Sequence, residues 1–445
     1  MRKIFTVILF LLPLQAYANP DVSVLKWQEE TQLTTSGKAS EVFIQGKIKN
    51  LPANQVMTSF AISFDEKQNL KITKVICDNQ LADYSFLNNS LKIKFPKPKE
   101  TNGSFALYFT YEETYDKINK FLRQEAIYIP SFAAGADAQV TINFPGYLES
   151  ATLNPNITKN GGSFVYRNSV PENGVQEIIK LTTAQSVWDM AINVTIKSDQ
   201  PLNDVQVKMP NYFQNGGQKV ENLSTKSNIL KFQEVSQGDN KIYKFNTAEK
   251  EILIENRARI STGTSNRLRI TRNPNDYLDV PQDEAALLLP ILEKIKRDEK
   301  YRNLPLYAQI GKFVHEFLKY DLSYTGKLPK VKEILRNPIG VCTEYSRLYN
   351  GLARVAKIPA MLIDGAACGE YDRCQGHAWN RIYRDGEWID VDATWDLMSG
   401  IVSSSHVYFN DDGKGEISTR YFGGQRTVSS SMGFEMKSGS YNHSN

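Results

Sequence analysis

The segment from residue 340 to 396 constrains this chain more than any other, because three short blocks carry a cysteine, a histidine and an aspartate in order. The first block is Gly340-Val341-Cys342-Thr343-Glu344-Tyr345, and the second is Gly376-His377-Ala378-Trp379-Asn380. The third is Trp388-Ile389-Asp390-Val391-Asp392-Ala393-Thr394-Trp395. After Cys342, apolar residues recur at Tyr345, Leu348, Tyr349, Leu352, Val355 and Ala356, the spacing of one helix face. Pro359 ends that helix, with Arg354 and Lys357 in its last turn. A thiol at a helix N-terminus faces unpaired backbone N–H groups and the positive end of the dipole, which favour the thiolate. Position alone makes Cys342 a candidate nucleophile.

The second and third blocks read as neighbouring strands over residues 377–384 and 387–392, joined by Asp385-Gly386 as a two-residue hairpin turn. His377 and Asp392 then lie near one open end of the pair. If the helix start abuts that end, the imidazole can take the thiol proton while the carboxylate orients the ring. Asp390, two positions earlier on the same strand, shares the face of Asp392 and competes for that role.

These three blocks resemble the motifs of the transglutaminase-like superfamily, in order and in expected context. By that resemblance Cys342 corresponds to the nucleophile, His377 to the general base and Asp392, rather than Asp390, to the orienting carboxylate. Tyr320-Asp321 and the 331–336 segment also look like the family's approach to its site. The likeness covers roughly the last third of the chain. Many members have proline where this chain has Ala393. Animal protein-crosslinking members use a tryptophan upstream of the cysteine. None lies between Trp188 and Cys342 here, so hydrolysis and amide exchange both stay open.

At the other end, Arg2 and Lys3 precede an apolar run over residues 4–12, and Ala16-Tyr17-Ala18 forms an A-x-A cleavage signal. Residues 1–18 therefore read as a signal peptide, and the run is too short to span a bilayer. The expected location is the periplasm. Lys and Arg number 53 against 49 Asp and Glu, a formal charge of +4. Losing Arg2 and Lys3 leaves +2 (4 − 2), which gives no electrostatic case for nucleic acid.

Between the leader and about residue 272 the chain is strand-rich. Candidate strands fall at 42–48, 57–64, 91–95, 104–111, 139–144, 188–197, 205–209, 242–245 and 267–271, and a short helix is expected near 115–122. Turns such as Asn160-Gly161-Gly162 punctuate them. The expected architecture is α+β: β-sandwich domains at 19–127 and 128–274, then a transglutaminase-like, papain-related core at 275–424. Pro281-Gln282-Asp283-Glu284 opens one helix, which Pro290 should kink, and another spans 306–318. Residues 425–445, rich in Ser and Gly, are expected to be flexible. The β domains read as scaffolds or partner-binding modules.

The chain has only four histidines. His315 falls off the apolar stripe of its helix and reads as a surface or boundary residue, and His443 lies in the tail. His406 reads as structural, on a strand bordering the site. Cys368 and Cys374 bound a polar segment just before His377, and a disulfide between them would contribute about 2 kcal/mol by loop closure, leaving Cys77 unpaired. Cys368, Cys374 and His377, with Asp392 or Cys342, alternatively have zinc-like spacing.

The reading that follows is an exported thiol enzyme acting on peptide or protein amides, cell-wall peptide among the candidates, through a thioester and without a cofactor. The alternative is a non-enzymatic interaction protein using the same fold. N-terminal sequencing of the exported protein is expected to begin at Asn19. A retained Met1 in a membrane fraction would refute the leader assignment.

Overall fold

The computed structural model describes residues 22–439 except 52–53, 65–68, 116–121, 147, 150–151, 211–217, 238–239, 264–271, 328, 369–373, 401, 403, 405, 412–417 and 423–425. The leader, the 267–271 strand and most of the 115–122 helix lie outside the described residues. The chain is mostly β and divides into two compact units, residues 1–118, 124–145 and 155–179 in the first and the remainder in the second.

In the first unit, alternating apolar residues build strands with one buried face. Strand Ser104–Thr114 buries Phe105, Leu107, Phe109 and Tyr111 while their neighbours are more exposed. It belongs to an eight-stranded sheet, on which a three-stranded sheet packs through Phe60 against Phe105 at 5.6 Å between ring centres. Strand Asp137–Asn143 joins that sheet by parallel pairing with Val22–Leu33. The boundary expected after residue 127 therefore lies too early. A pairing between segments so far apart in sequence leaves no local signal at residue 128.

The second unit begins with two four-stranded sheets around one core. Strand Gln185–Ser198 contributes Trp188, Met190, Ile192, Val194 and Ile196 at period two, against Val205, Val207, Tyr243 and Ile254. Residues 426–439, expected to be flexible, instead form a strand paired antiparallel along Gln185–Ser198. Backbone pairing to an edge needs no apolar period, which is why composition misjudged it.

The remaining elements are helices α1 (Gln282–Arg297), α2 (Leu306–Phe317), α3 (Val331–Arg336) and α4 (Cys342–Val355) and a four-stranded antiparallel sheet. Across that sheet the strands run Glu387–Val391, Cys374–Arg384, Ala360–Cys368, His406–Asp411. α1 runs on through Pro290. Helix α4 lies at the centre of this half, with Leu348, Tyr349 and Leu352 fully buried among α1, α2 and the sheet. Each such leucine contributes about 1.5–3 kcal/mol by leaving water. The turn Asp385-Gly386 has positive φ at both residues, 52° and 89°, as a type I′ hairpin requires.

Candidate active site

Helix α4 presents its first residue to the sheet, and the sequence around Cys342 explains how. Val341 cannot cap the helix with its side chain, so the Glu344 carboxylate reaches back and accepts the Val341 N–H at 2.8 Å. Glu344 is thereby buried. It fits only because residue 340 is glycine: a Cβ there would lie 2.4 Å from Cβ of Glu344. Asn380 ties the same helix to the neighbouring strand, its Nδ2 donating to Ser346 O at 3.0 Å and to Met361 O at 3.3 Å.

The structure brings Cys342, His377 and Asp392 together. His377 Nε2 meets Asp392 Oδ2 at 2.9 Å, and the Cys342 thiol lies close enough to the ring to act on its charge. All three are buried, Asp392 completely and Cys342 with 8% of its surface exposed. Asp390, the competing carboxylate, is instead held by Arg381 in a bidentate pair at 2.7 and 3.0 Å.

Burial by itself would lower the pKa of His377. The attraction and hydrogen bond of Asp392, with the hydrogen bond and charge of Cys342, outweigh that cost and push it up to about 10. Burial would raise the Asp392 pKa, but the two facing imidazoles hold its carboxyl well below the ordinary carboxylate range.

Asp392 is held from every side. Its Oδ1 accepts the backbone N–H of Thr394 at 2.8 Å and of Trp395 at 3.3 Å, and its backbone closes a loop with Leu397 by reciprocal bonds at 3.0 and 2.8 Å. That loop carries Trp395, whose ring stacks on His377 at 4.8 Å. Lys180 and Lys312 both pair with Asp396 at the loop's end, the former at 2.6 Å. His315 is half-buried, its Nδ1 3.1 Å from Ala393 O.

The residue that sequence reasoning undervalued is His406. Its Nε2 meets the same Asp392 Oδ2 at 3.2 Å, and the ring is buried against Trp395 and Trp379. The missed signal is alternation: in His406-Val407-Tyr408-Phe409, Val407 and Phe409 join the two-sheet core, which turns His406 to the opposite face. The ligand atoms of His377, Asp392 and His406 lie within 4.8 Å of one another, close enough to hold a metal ion. Each imidazole nitrogen already has the carboxylate oxygen as a hydrogen-bond partner there.

Tyr320, 40% exposed, stands near the thiol; burial of its hydroxyl and the Cys342 charge push it up to about 12, while a hydrogen bond to Gln375 opposes them. Cys77 is a free, buried thiol in the first unit, pushed up to about 12 by burial and by Asp78. Cys368 and Cys374 are register partners across their hairpin, while their side chains lie outside the described residues.

Residues 295–393 match the family model described as the transglutaminase-like superfamily. The chain is 27% identical over 130 residues to the kyphoscoliosis peptidase of Homo sapiens, covering 25% of this chain and 19% of that protein. To the kyphoscoliosis peptidase of Mus musculus it is 32% identical over 126 residues, covering 25% and 18%. The chain thus spans about a fifth of the length of these relatives. The solved structure of a proposed cysteine protease from Cytophaga hutchinsonii superposes with a TM-score of 0.41 at 15% identity, over 57% of this chain and 92% of that one.

The charge on the His377–Asp392 pair has a measurable consequence. A histidine pKa raised above its ordinary 6.5 stabilises the fold fully below that value and loses the contribution as pH rises through about 10. A depressed aspartate pKa contributes above the ordinary 3.8 and loses it at lower pH. Urea unfolding is therefore expected to show stability declining from pH 7 to 10 in the wild type. Asp392→Asn should flatten that decline, and an unchanged slope would contradict the pairing.

Proposed function

We propose that this chain, a transglutaminase-like superfamily member by its residues 295–393, is an exported thiol enzyme that cleaves or exchanges peptide or protein amides. The observation that carries the reading is one buried imidazole that meets a buried carboxylate at 2.9 Å and lies beside the thiol at a helix start. Nothing in structural packing requires a cysteine, a histidine and an aspartate to converge in that order.

In the proposed reaction the Cys342 thiolate attacks the amide carbonyl, forming a C–S bond. The oxyanion develops beside the backbone N–H of Cys342 at the positive end of α4. The His377 imidazolium gives its Nδ1 proton to the departing nitrogen as the C–N bond breaks, leaving a thioester and a neutral ring. His377 then takes a proton from the next nucleophile. Water yields an acid and frees the thiol, whereas an amine yields a new amide. Asp392 keeps the ring oriented and its charge balanced.

The raised pKa of His377 fits this role, because its proton must be present when the amine leaves. Turnover should fall as pH rises through that value.

Iodoacetamide at neutral pH is expected to label Cys342 and leave buried Cys77 untouched. His377→Ala should slow that labelling, and any measured amide turnover should fall at least about 100-fold, the range for a lost general acid–base group. Labelling that ignores both the cysteine's position and the loss of His377 would leave the non-enzymatic interaction protein as the better reading.

We also propose that Cys368 and Cys374 form a disulfide, as their opposed backbone positions and an oxidising compartment favour. Peptide mapping without reductant should recover them linked. Recovering them as free thiols, with stoichiometric zinc in the purified protein, would favour the metal alternative.

A further inference from the structure

The strand His406–Asp411 pairs with Ala360–Cys368 at the edge of the four-stranded sheet, and its further anchors lie in the two-sheet body of the second unit rather than in the helices. Val407 and Phe409 enter the core built around Trp188, and Gln218 clamps Tyr408 with Nε2 donating to its O at 3.0 Å and Oε1 accepting its N–H at 2.8 Å. Two residues before His406, the Ser404 hydroxyl meets those of Thr183 at 2.6 Å and Ser186 at 2.7 Å. The Ser404 carbonyl accepts from Trp188 Nε1 at 3.3 Å and from Thr262. All four of these partners are buried. Such a fully engaged polar knot gives the strand one position.

What that position delivers is an imidazole to the carboxylate that already faces His377. Both Nε2 atoms address Asp392 Oδ2, and the ring centres are 5.2 Å apart. Trp379 and Trp395 pack edge-on to the His406 ring at 5.1 and 4.8 Å between ring centres. Gly365 allows this closeness, since a Cβ there would meet the Trp379 ring at 2.6 Å and the Val407 carbonyl at 2.1 Å.

We propose that His406 is a positioning residue of the thiol site, a neutral imidazole donating its Nε2–H to Asp392 so that the carboxylate orients His377, and that the two-sheet body exists in part to hold it there. This rests on the thiol-enzyme reading. Repulsion decides the protonation state: two imidazolium rings with centres 5.2 Å apart in a buried site would repel each other, so with His377 carrying the charge His406 stays neutral. The neutral ring must then carry its proton on the nitrogen that faces Asp392, because an unprotonated Nε2 would set lone pair against lone pair. The donor removes Asp392's freedom to rotate away from His377, since both carboxylate oxygens are then fixed, Oδ1 by the loop and Oδ2 by two rings.

The test uses the full mature chain, with iodoacetamide as the probe of Cys342 and ¹⁵N-labelled histidine as the probe of tautomer. His406→Leu, which removes the donor, should slow alkylation at pH 7 roughly ten- to a hundred-fold, the range for outer partners of a functional group. His406→Gln keeps an N–H donor of similar reach and should stay within about three-fold of wild type. With four histidines in the chain, the ring ¹⁵N spectrum should show His406 neutral with its proton on Nε2. If His377→Ala slows alkylation but His406→Leu, folded by its thermal melt, does not, the inference is wrong and the thiol reading stands. If His377→Ala has no effect, the thiol reading is what fails. The spectrum judges the donor independently: a proton on Nδ1 overturns it, whatever the alkylation rates, and covers the case in which His406→Leu does not fold.

Discussion

Everything around the site depends on keeping one carboxylate charged in a place shut off from solvent. Asp392 is completely buried, and an isolated carboxylate there would neutralise itself or unfold its surroundings. It remains an anion because four donors converge on it: two backbone N–H groups from its own loop and two imidazoles from different strands. The cost of burying the charge is offset only while all of them hold their places. The loop clamp at Asp396, the stacked Trp395 and the buried knot at Ser404 are each means to that end.

The thiol is placed by a different device. Glu344 caps its own helix from the third position, and Gly340 leaves the space that the carboxylate needs. The block Gly-Val-Cys-Thr-Glu therefore has a structural reason at both ends, which frees the cysteine between them from any packing duty. The helix is then fastened to the histidine strand by Asn380, whose Nδ2 donates to Ser346 O.

Much of this was legible along the chain. The apolar spacing after Cys342 predicts a helix that starts at the thiol, and α4 runs from Cys342 to Val355. Asp385-Gly386 predicts the hairpin that brings His377 and Asp392 to one end, and both residues have the positive φ such a turn demands. Local rules govern both, so local sequence reveals them. His406 was not legible as part of the site. Its strand neighbours Ala360–Cys368, on the far side of the histidine strand, and an approach across two intervening strand positions writes nothing near residue 406. The parallel pairing of Asp137–Asn143 with Val22–Leu33, and the return of 426–439 to Gln185–Ser198, escaped notice for the same reason.

The sequence by itself determined the helix that begins at Cys342, the hairpin behind His377 and Asp392, and the alternation that buries one face of each strand. These follow from spacing and turn chemistry within a few residues. Strand position left Asp390 and Asp392 equal and only the resemblance chose between them; the physical reason lies in the tertiary structure, where Arg381 takes Asp390 by a contact between strands. Tertiary structure also decided that a second imidazole shares the carboxylate, because that contact depends on a knot of hydroxyls at Thr183, Ser186 and Thr262, more than a hundred residues away in the chain from His406. Contacts at that range are set by how whole sheets pack, and no short stretch of sequence carries them.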